Sequence, residues 1–136
     1  MKISYAVSNI MTKEIVTVKQ DSSVKQAIER MVEKNIGSVV VTERGKMVGI
    51  LTERDVLKKL RFDSECADKK VSELMSSPLI KIDDKAAIGK AADLMAEKGI
   101  RRLLVTKDDK IVGIITERDV MRATLDVFKS LSKSWV

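Results

Sequence analysis

Thr52-Glu53-Arg54-Asp55 and Thr116-Glu117-Arg118-Asp119 are the same four residues, set 64 positions apart. Each follows an apolar, strand-like run that contains a glycine, Gly49 or Gly113. A threonine with an acid three positions later has two uses. It can form a helix capping box, in which the hydroxyl and the carboxylate each accept a hydrogen bond from a backbone N–H. Such a cap contributes about 1 kcal/mol. The same residues can also hold a ligand. A helix N-terminus presents unpaired N–H groups and the positive end of the helix dipole, where a phosphate can sit. The Thr hydroxyl can donate to a phosphate oxygen, and the Asp can accept both hydroxyls of a ribose, as the acid of dinucleotide folds does. The glycines would then permit close backbone approach. Spacing alone leaves both uses open.

Other chemistry is scarce. The chain has no histidine, which removes the usual general base, the commonest zinc ligand and a pH switch near neutrality. Its single cysteine, Cys66, cannot form an internal disulfide and has no histidine to activate it as a nucleophile. The methionines fall at core spacing, so no metal or heme site is expected. The 136 residues are 44% hydrophobic and 34% charged, a balance suited to a soluble chain able to bury a core. Apolar runs such as Val39-Val40-Val41 and Leu103-Leu104-Val105 fall far short of the roughly 20 residues of a membrane helix. No secretory signal pattern opens the sequence, and a cytoplasmic location is expected. The net charge of +6 is spread among interspersed acids and bases, which reads mainly as a solvated surface and secondarily as an affinity for anions.

The repeated tetrapeptides belong to a longer duplication. At the offset of 64, Val7-Ser8 meets Val71-Ser72, Met11 meets Met75, and Ala27 and Met31 meet Ala91 and Met95. Val41-Thr42 meets Val105-Thr106, and Val48-Gly49-Ile50 meets Val112-Gly113-Ile114. From Val7 to Leu57 no gap is needed and 19 of 51 positions are identical, so the repeat governs the reading of the fold. Each copy predicts the order β-α-β-β-α. An extended stretch spans Glu14 to Val18 or Pro78 to Ile82. A helix follows, with Val24, Ala27, Ile28, Met31 and Val32, or Ile88, Ala91, Ala92 and Met95, on one face. The first helix has N-cap candidates in Asp21-Ser22-Ser23, and Gly99 suits the end of the second. A hairpin comes next, Ser38–Thr42 with Met47–Leu51 or Arg102–Thr106 with Ile111–Ile115. The Thr-x-x-Asp phrase closes the hairpin and opens a second helix. The expected division is residues 1–61 for the first copy, 62–70 for a charged linker with few packing signals, 71–131 for the second copy and 132–136 for a tail.

The duplication, the element order, the openings Met11-Thr12 and Met75-Ser76, and the two Gly-Ile-x-Thr-x-x-Asp phrases resemble a pair of CBS domains, the Bateman module. The resemblance covers roughly Val7 to Arg122. It implies an α/β fold of tandem CBS repeats related by a pseudo-twofold axis. It also implies clefts between the copies that bind AMP, ADP, ATP or S-adenosylmethionine as regulatory ligands. By this resemblance Thr52 and Asp55 serve one cleft, and Thr116 and Asp119 the other. Ile15-Val16 and Leu79-Ile80 form adenine walls. Arg101 and Arg102 match a basic pair that reaches phosphate in nucleotide-binding members. Gly37 and Ser38 stand at the matching places of the first copy and do not fit that pattern, so two unequal sites are expected.

The resemblance implies a ligand sensor that is not an enzyme, with no catalytic residues, no required cofactor and no metal. It implies a homodimer formed through helices and a separate target protein. The apolar stripe from Val120 to Leu131, with Trp135, offers packing for the core and for a partner subunit. Two other readings compete. A nucleic-acid-binding protein draws support from the positive charge, but 3% aromatic residues give few platforms for base stacking. A structural dimerisation module would leave both clefts empty.

Overall fold

A computed structural model describes residues 6–76 and 79–132 of the chain. Trp135 and Pro78, both used above, lie outside the described residues. The elements run α1 (Val7–Ile10), β1 (Thr17–Lys19), α2 (Val24–Lys34), β2 (Ser38–Glu43), β3 (Lys46–Thr52) and α3 (Glu53–Leu60). Then come β4 (Lys81–Asp83), α4 (Ile88–Lys98), β5 (Arg102–Lys107), β6 (Lys110–Thr116) and α5 (Glu117–Leu131). Two short 3₁₀ turns, Cys66–Asp68 and Val71–Glu73, lie between the halves. The expected β-α-β-β-α order is present in both copies.

The chain forms two compact units. One is Ile15–Leu79; the other joins the described residues up to Glu14 to those from Ile80 onward. Each unit has a three-stranded sheet, β1-β2-β3 or β4-β5-β6. The first strand of each runs parallel to the second, and the second and third form an antiparallel hairpin. The hairpin turns set two consecutive residues at positive φ, Arg44 and Gly45 in one and Asp108 and Asp109 in the other, the geometry whose twist matches paired strands. Just before each turn the register slips by one, between Val41 and Thr42 and between Val105 and Thr106.

One face of each sheet packs on its helices. Val39, Val41 and Leu51 meet Val24, Ala27, Met31 and Val56 in one core. Leu103, Val105 and Ile115 meet Val7, Ala91 and Met95 in the other. Val40 and Leu104, which alternation turns to the opposite face, are buried as well. Burial on both faces explains why β2 and β5 read as unbroken apolar runs. Helix α2 begins at a capping box formed by Ser23 and Gln26, whereas α4 begins at Ala87 with no side-chain cap. Asn35 and Gly99, both left-handed, end these helices.

Two expectations need correction, and a third feature was not anticipated. The first strands are shorter and later than Glu14–Val18 and Pro78–Ile82, so Ile15, Val16, Leu79 and Ile80 precede β1 and β4 instead of lying within them. Parallel pairing holds only three register positions in each sheet, although the Val40 N–H already donates to the Val16 carbonyl at 2.9 Å. The charged stretch 62–70 is packed, not loose. Cys66 is fully buried, Lys69 pairs with Asp63 at 2.8 Å, and the Lys69 carbonyl accepts the Val24 N–H. The bond from Lys69 holds the Asp63 carboxyl below its ordinary range, and the same bond raises Lys69. Third, the opening segment of each copy belongs to the unit built by the other copy. Val7 and Ser8 donate to the carbonyls of Ala86 and Asp84, while Val71 and Ser72 donate to those of Ser22 and Gln20. All four contacts keep the 64-residue offset.

Candidate functional site

The topology gathers the start of the first strand, the start of the second and the end of the third at one edge of each sheet. In the Ile15–Leu79 unit these are Val16, Ser38 and Thr52. Ser38 and Thr52 are register partners, so their side chains share a face. In the other unit the residues are Ile80, Arg102 and Thr116, with Arg102 opposite Thr116. The Leu104 N–H donates to the Ile80 carbonyl at 3.0 Å, which fixes the pre-strand segment beside β5. The following helix starts at the same edge. Its first N–H, from Glu53 or Glu117, donates to the carbonyl of Gly37 or Arg101 at 3.0 and 2.9 Å.

The Thr–Asp pairs form reciprocal capping boxes. Thr52 N–H donates to Asp55 Oδ2 at 2.9 Å, and Asp55 N–H donates to Thr52 Oγ1 at 3.1 Å. The second copy repeats this at 2.9 and 3.2 Å between Thr116 and Asp119. Both uses of the phrase raised by its spacing must therefore share the same atoms. The cap consumes one acceptor position on each hydroxyl and one carboxylate oxygen. Each Thr retains its O–H as a donor and each Asp its Oδ1 as an acceptor, since neither has another partner among the described residues. The four side chains are half-buried, so these groups remain within reach of a solute.

The helix ends are less open than the sequence suggests. The Gly37 carbonyl and the capping box take the N–H groups of Thr52, Glu53 and Asp55, leaving that of Arg54 over among the described residues; Arg118 is its equivalent. The glycines also serve the chain itself. A Cβ on Gly49 would fall 2.7 Å from Met75 Sδ and 2.8 Å from the Ser76 carbonyl. One on Gly113 would meet Met11 Sδ and the Thr12 carbonyl at 2.6 and 2.9 Å. The close approach is that of the opening segment, whose Thr12 and Ser76 exchange paired backbone bonds with Ile114 and Ile50.

Arg101 and Arg102 separate as strand alternation requires. Arg102 is half-buried beside Thr116, whereas Arg101 is exposed and its Nε lies 3.9 Å from a Glu117 carboxylate oxygen. Ile15, Val16, Leu79 and Ile80 are all half-buried; Val16 packs on the first core and Ile80 on the second. Thus Ile15, Val16, Thr52 and Asp55 share one unit, with Leu79 at its end. Ile80, Arg101, Arg102, Thr116 and Asp119 share the other. Sequence reading missed Ser38 as the register partner of Thr52, and it missed the carbonyls of Gly37 and Arg101 as anchors for the helices. Aligning the two copies column by column contained that signal, because Gly37 and Arg101 occupy the same place. Among the described residues no group of His, Cys, Asp or Glu could hold a metal ion.

Comparison with known proteins agrees with this geometry. The CBS domain family matches residues 7–61 and 71–126. An uncharacterized protein of Methanopyrus kandleri is 32% identical over 88% of the chain, and the chain spans 62% of that protein's length. The CBS domain pair of protein MJ0100, solved with 5′-methylthioadenosine and S-adenosyl-L-methionine, superposes with a TM-score of 0.82 at 25% identity. That match covers 92% of this chain and 99% of the other. CBSX2, solved with AMP, gives 0.76 at 31% identity over 91% and 98%.

Proposed function

The chain belongs to the CBS-domain family, and on that premise we propose that it is a regulatory module that senses adenosine-containing ligands and catalyses nothing. The observation that carries this reading is the unspent chemistry of the capping boxes. Each box locks its helix and still offers a hydroxyl donor and a carboxylate acceptor at the same sheet edge. In this reading Asp55 and Asp119 accept ribose hydroxyls through Oδ1. Thr52 and Thr116 donate to the 5′ substituent. Ile15 and Val16, and Leu79 and Ile80, flank the adenine with apolar surface and backbone groups. Arg101 and Arg102 serve phosphate in the second copy. The AMP of CBSX2 and the 5′-methylthioadenosine and S-adenosyl-L-methionine of MJ0100 support this class, to which the proposal adds ADP and ATP.

Binding regulates through differential affinity for two arrangements of the protein. The proposed assembly is a homodimer in the cytoplasm that acts on a separate target protein. Its contact surface would come from exposed apolar residues of the second helices, Leu57 and Leu60 on α3 and Met121, Leu125, Phe128 and Leu131 on α5. Native mass spectrometry of protein purified without denaturation tests both statements. The expected spectrum is a dimer that gains the mass of AMP or S-adenosylmethionine on addition. A monomer would remove the dimer, and failure to take up any adenosine compound would leave the dimerisation module. A salt-dependent shift of RNA or DNA would instead favour the nucleic-acid reading.

A further inference from the structure

The two sheet edges share one phrase and its bonds, and differ in charge at their strand starts. Thr, Glu, Arg and Asp recur at 52–55 and 116–119, with the same capping bonds and the same tie from the first helical N–H to a strand carbonyl. The residues that carry that carbonyl and begin the strand are Gly37 and Ser38 in one unit and Arg101 and Arg102 in the other. These two places add two positive charges to the second edge, and Lys81 in place of Thr17 at the start of the first strand adds a third. Ser38 and Arg102 both lie opposite the capping Thr and share its face. At the Ile15–Leu79 edge the carboxylates of Glu53 and Asp55 face no strand-start cation. At the other edge Arg101 already balances Glu117 at 3.9 Å, and Arg102 stands beside Thr116.

Resting on the adenosine-sensing reading, we infer that the two edges divide their ligands by charge. The Thr116–Asp119 edge takes an adenosine carrying a 5′ phosphate. The Thr52–Asp55 edge takes an adenosine whose 5′ group is uncharged or cationic, such as a thioether or a sulfonium. The division follows from electrostatics. A phosphate dianion held against Asp55 and Glu53 with no strand-start cation is repelled, and a hydroxyl on Ser38 does not offset that repulsion. A guanidinium beside Thr116 supplies charge-assisted donors to the phosphate oxygens. A sulfonium meets the opposite balance, attracted by Glu53 and Asp55 and repelled by Arg102. One chain could in this way report a nucleotide and a nucleoside derivative independently.

Isothermal titration of the full chain with AMP and with 5′-methylthioadenosine tests the division. Asp55→Asn and Asp119→Asn are the informative variants, because asparagine keeps an oxygen for the cap and loses the negative charge. The wild type is expected to bind one AMP per chain. Asp119→Asn is expected to weaken AMP by about tenfold or more and Asp55→Asn to leave it unchanged. Asp55→Asn should weaken 5′-methylthioadenosine by a similar factor. Ser38→Arg should add a second AMP per chain, a gain that misfolding does not mimic. Two equivalent AMP sites in the wild type, or equal losses of AMP in the two Asp variants, would overturn the division and leave adenosine sensing intact. No heat with either ligand would remove the sensing itself.

Discussion

The two units are built by the same local devices and diverge in the residues at their strand starts. Residues 15–79 and the unit made from 6–14 with 80–132 share register, bulge position, capping boxes and the glycine under the opening segment. They differ at the strand start, where two arginines replace glycine and serine, and at the helix entry, where Ala87 replaces Ser23. The lesson is that the crowded contacts, at Gly49 and Gly113 under the opening segments, keep matched solutions in the two copies, while the strand starts do not.

The crowded contacts give the strongest way to break the comparison. Gly49→Ala and Gly113→Ala each drive a methyl against a backbone carbonyl 2.8 or 2.9 Å away and a methionine sulfur. Backbone can yield little, so each should destabilise by about 1–3 kcal/mol, as overpacking does. Urea denaturation should give losses of the same size in the two variants. A neutral Gly113→Ala would show that the segment at Met11 and Thr12 is not seated where described.

The helix entries sharpen the comparison at smaller magnitude. Ser23→Ala removes a capping box and should cost about 1 kcal/mol. Ala87→Ser installs a hydroxyl at an extended N-cap that has no side-chain bond, and should stabilise by up to about 1 kcal/mol. Opposite signs in thermal denaturation are the expected outcome; the same sign for both would mean that the entry to α4 is not a true equivalent of that to α2.

The smallest effect belongs to the stretch between the copies. Asp63 is held below its ordinary carboxylate range by the bond from Lys69. A depressed folded value stabilises above the unfolded value of 3.8, and that share is lost as pH falls through the folded one. Lys69, raised above 10.5 by the same bond, contributes below 10.5 and loses its share as pH climbs through the raised value. Asp63→Asn should therefore lower stability slightly between the two titrations and change little below the one or above the other, which flattens both the acid and the alkaline flank of the profile. Both groups remain in contact with solvent, so the effect is modest. An unchanged acid flank would mean that the pair does not persist in solution.

Much of this architecture was legible because the duplication checks itself. The hairpins, the helix faces and the Thr–Asp boxes recur at a fixed offset, and periodicity located each of them; the exception is Val32, expected on the buried face of α2 and 75% exposed. Three features were hidden for physical reasons. A three-residue parallel strand leaves too short an alternation to place, so Ile15, Val16, Leu79 and Ile80 read as strand residues. Val7-Ser8 and Val71-Ser72 showed that the openings are equivalent, yet sequence carries no mark of which copy an opening docks on. Cys66 lies in a charged stretch whose composition masks its complete burial. At the candidate site the residue types were readable. The proposed sharing of Thr and Asp atoms between cap and solute was not, because it depends on which oxygen the backbone already occupies.

That sharing is the central claim, and ligand-dependent thermal stabilisation of the Asp55→Asn/Asp119→Asn double variant tests it most directly. With AMP at about 100 times its dissociation constant, the wild type should gain about 2.7 kcal/mol and melt correspondingly higher. The double variant should melt near the wild-type temperature without ligand, because asparagine still accepts at the cap, and should gain little at the same AMP concentration. A double variant that keeps the full AMP-induced rise would contradict the account, since the carboxylates would then do no more than hold their own helices.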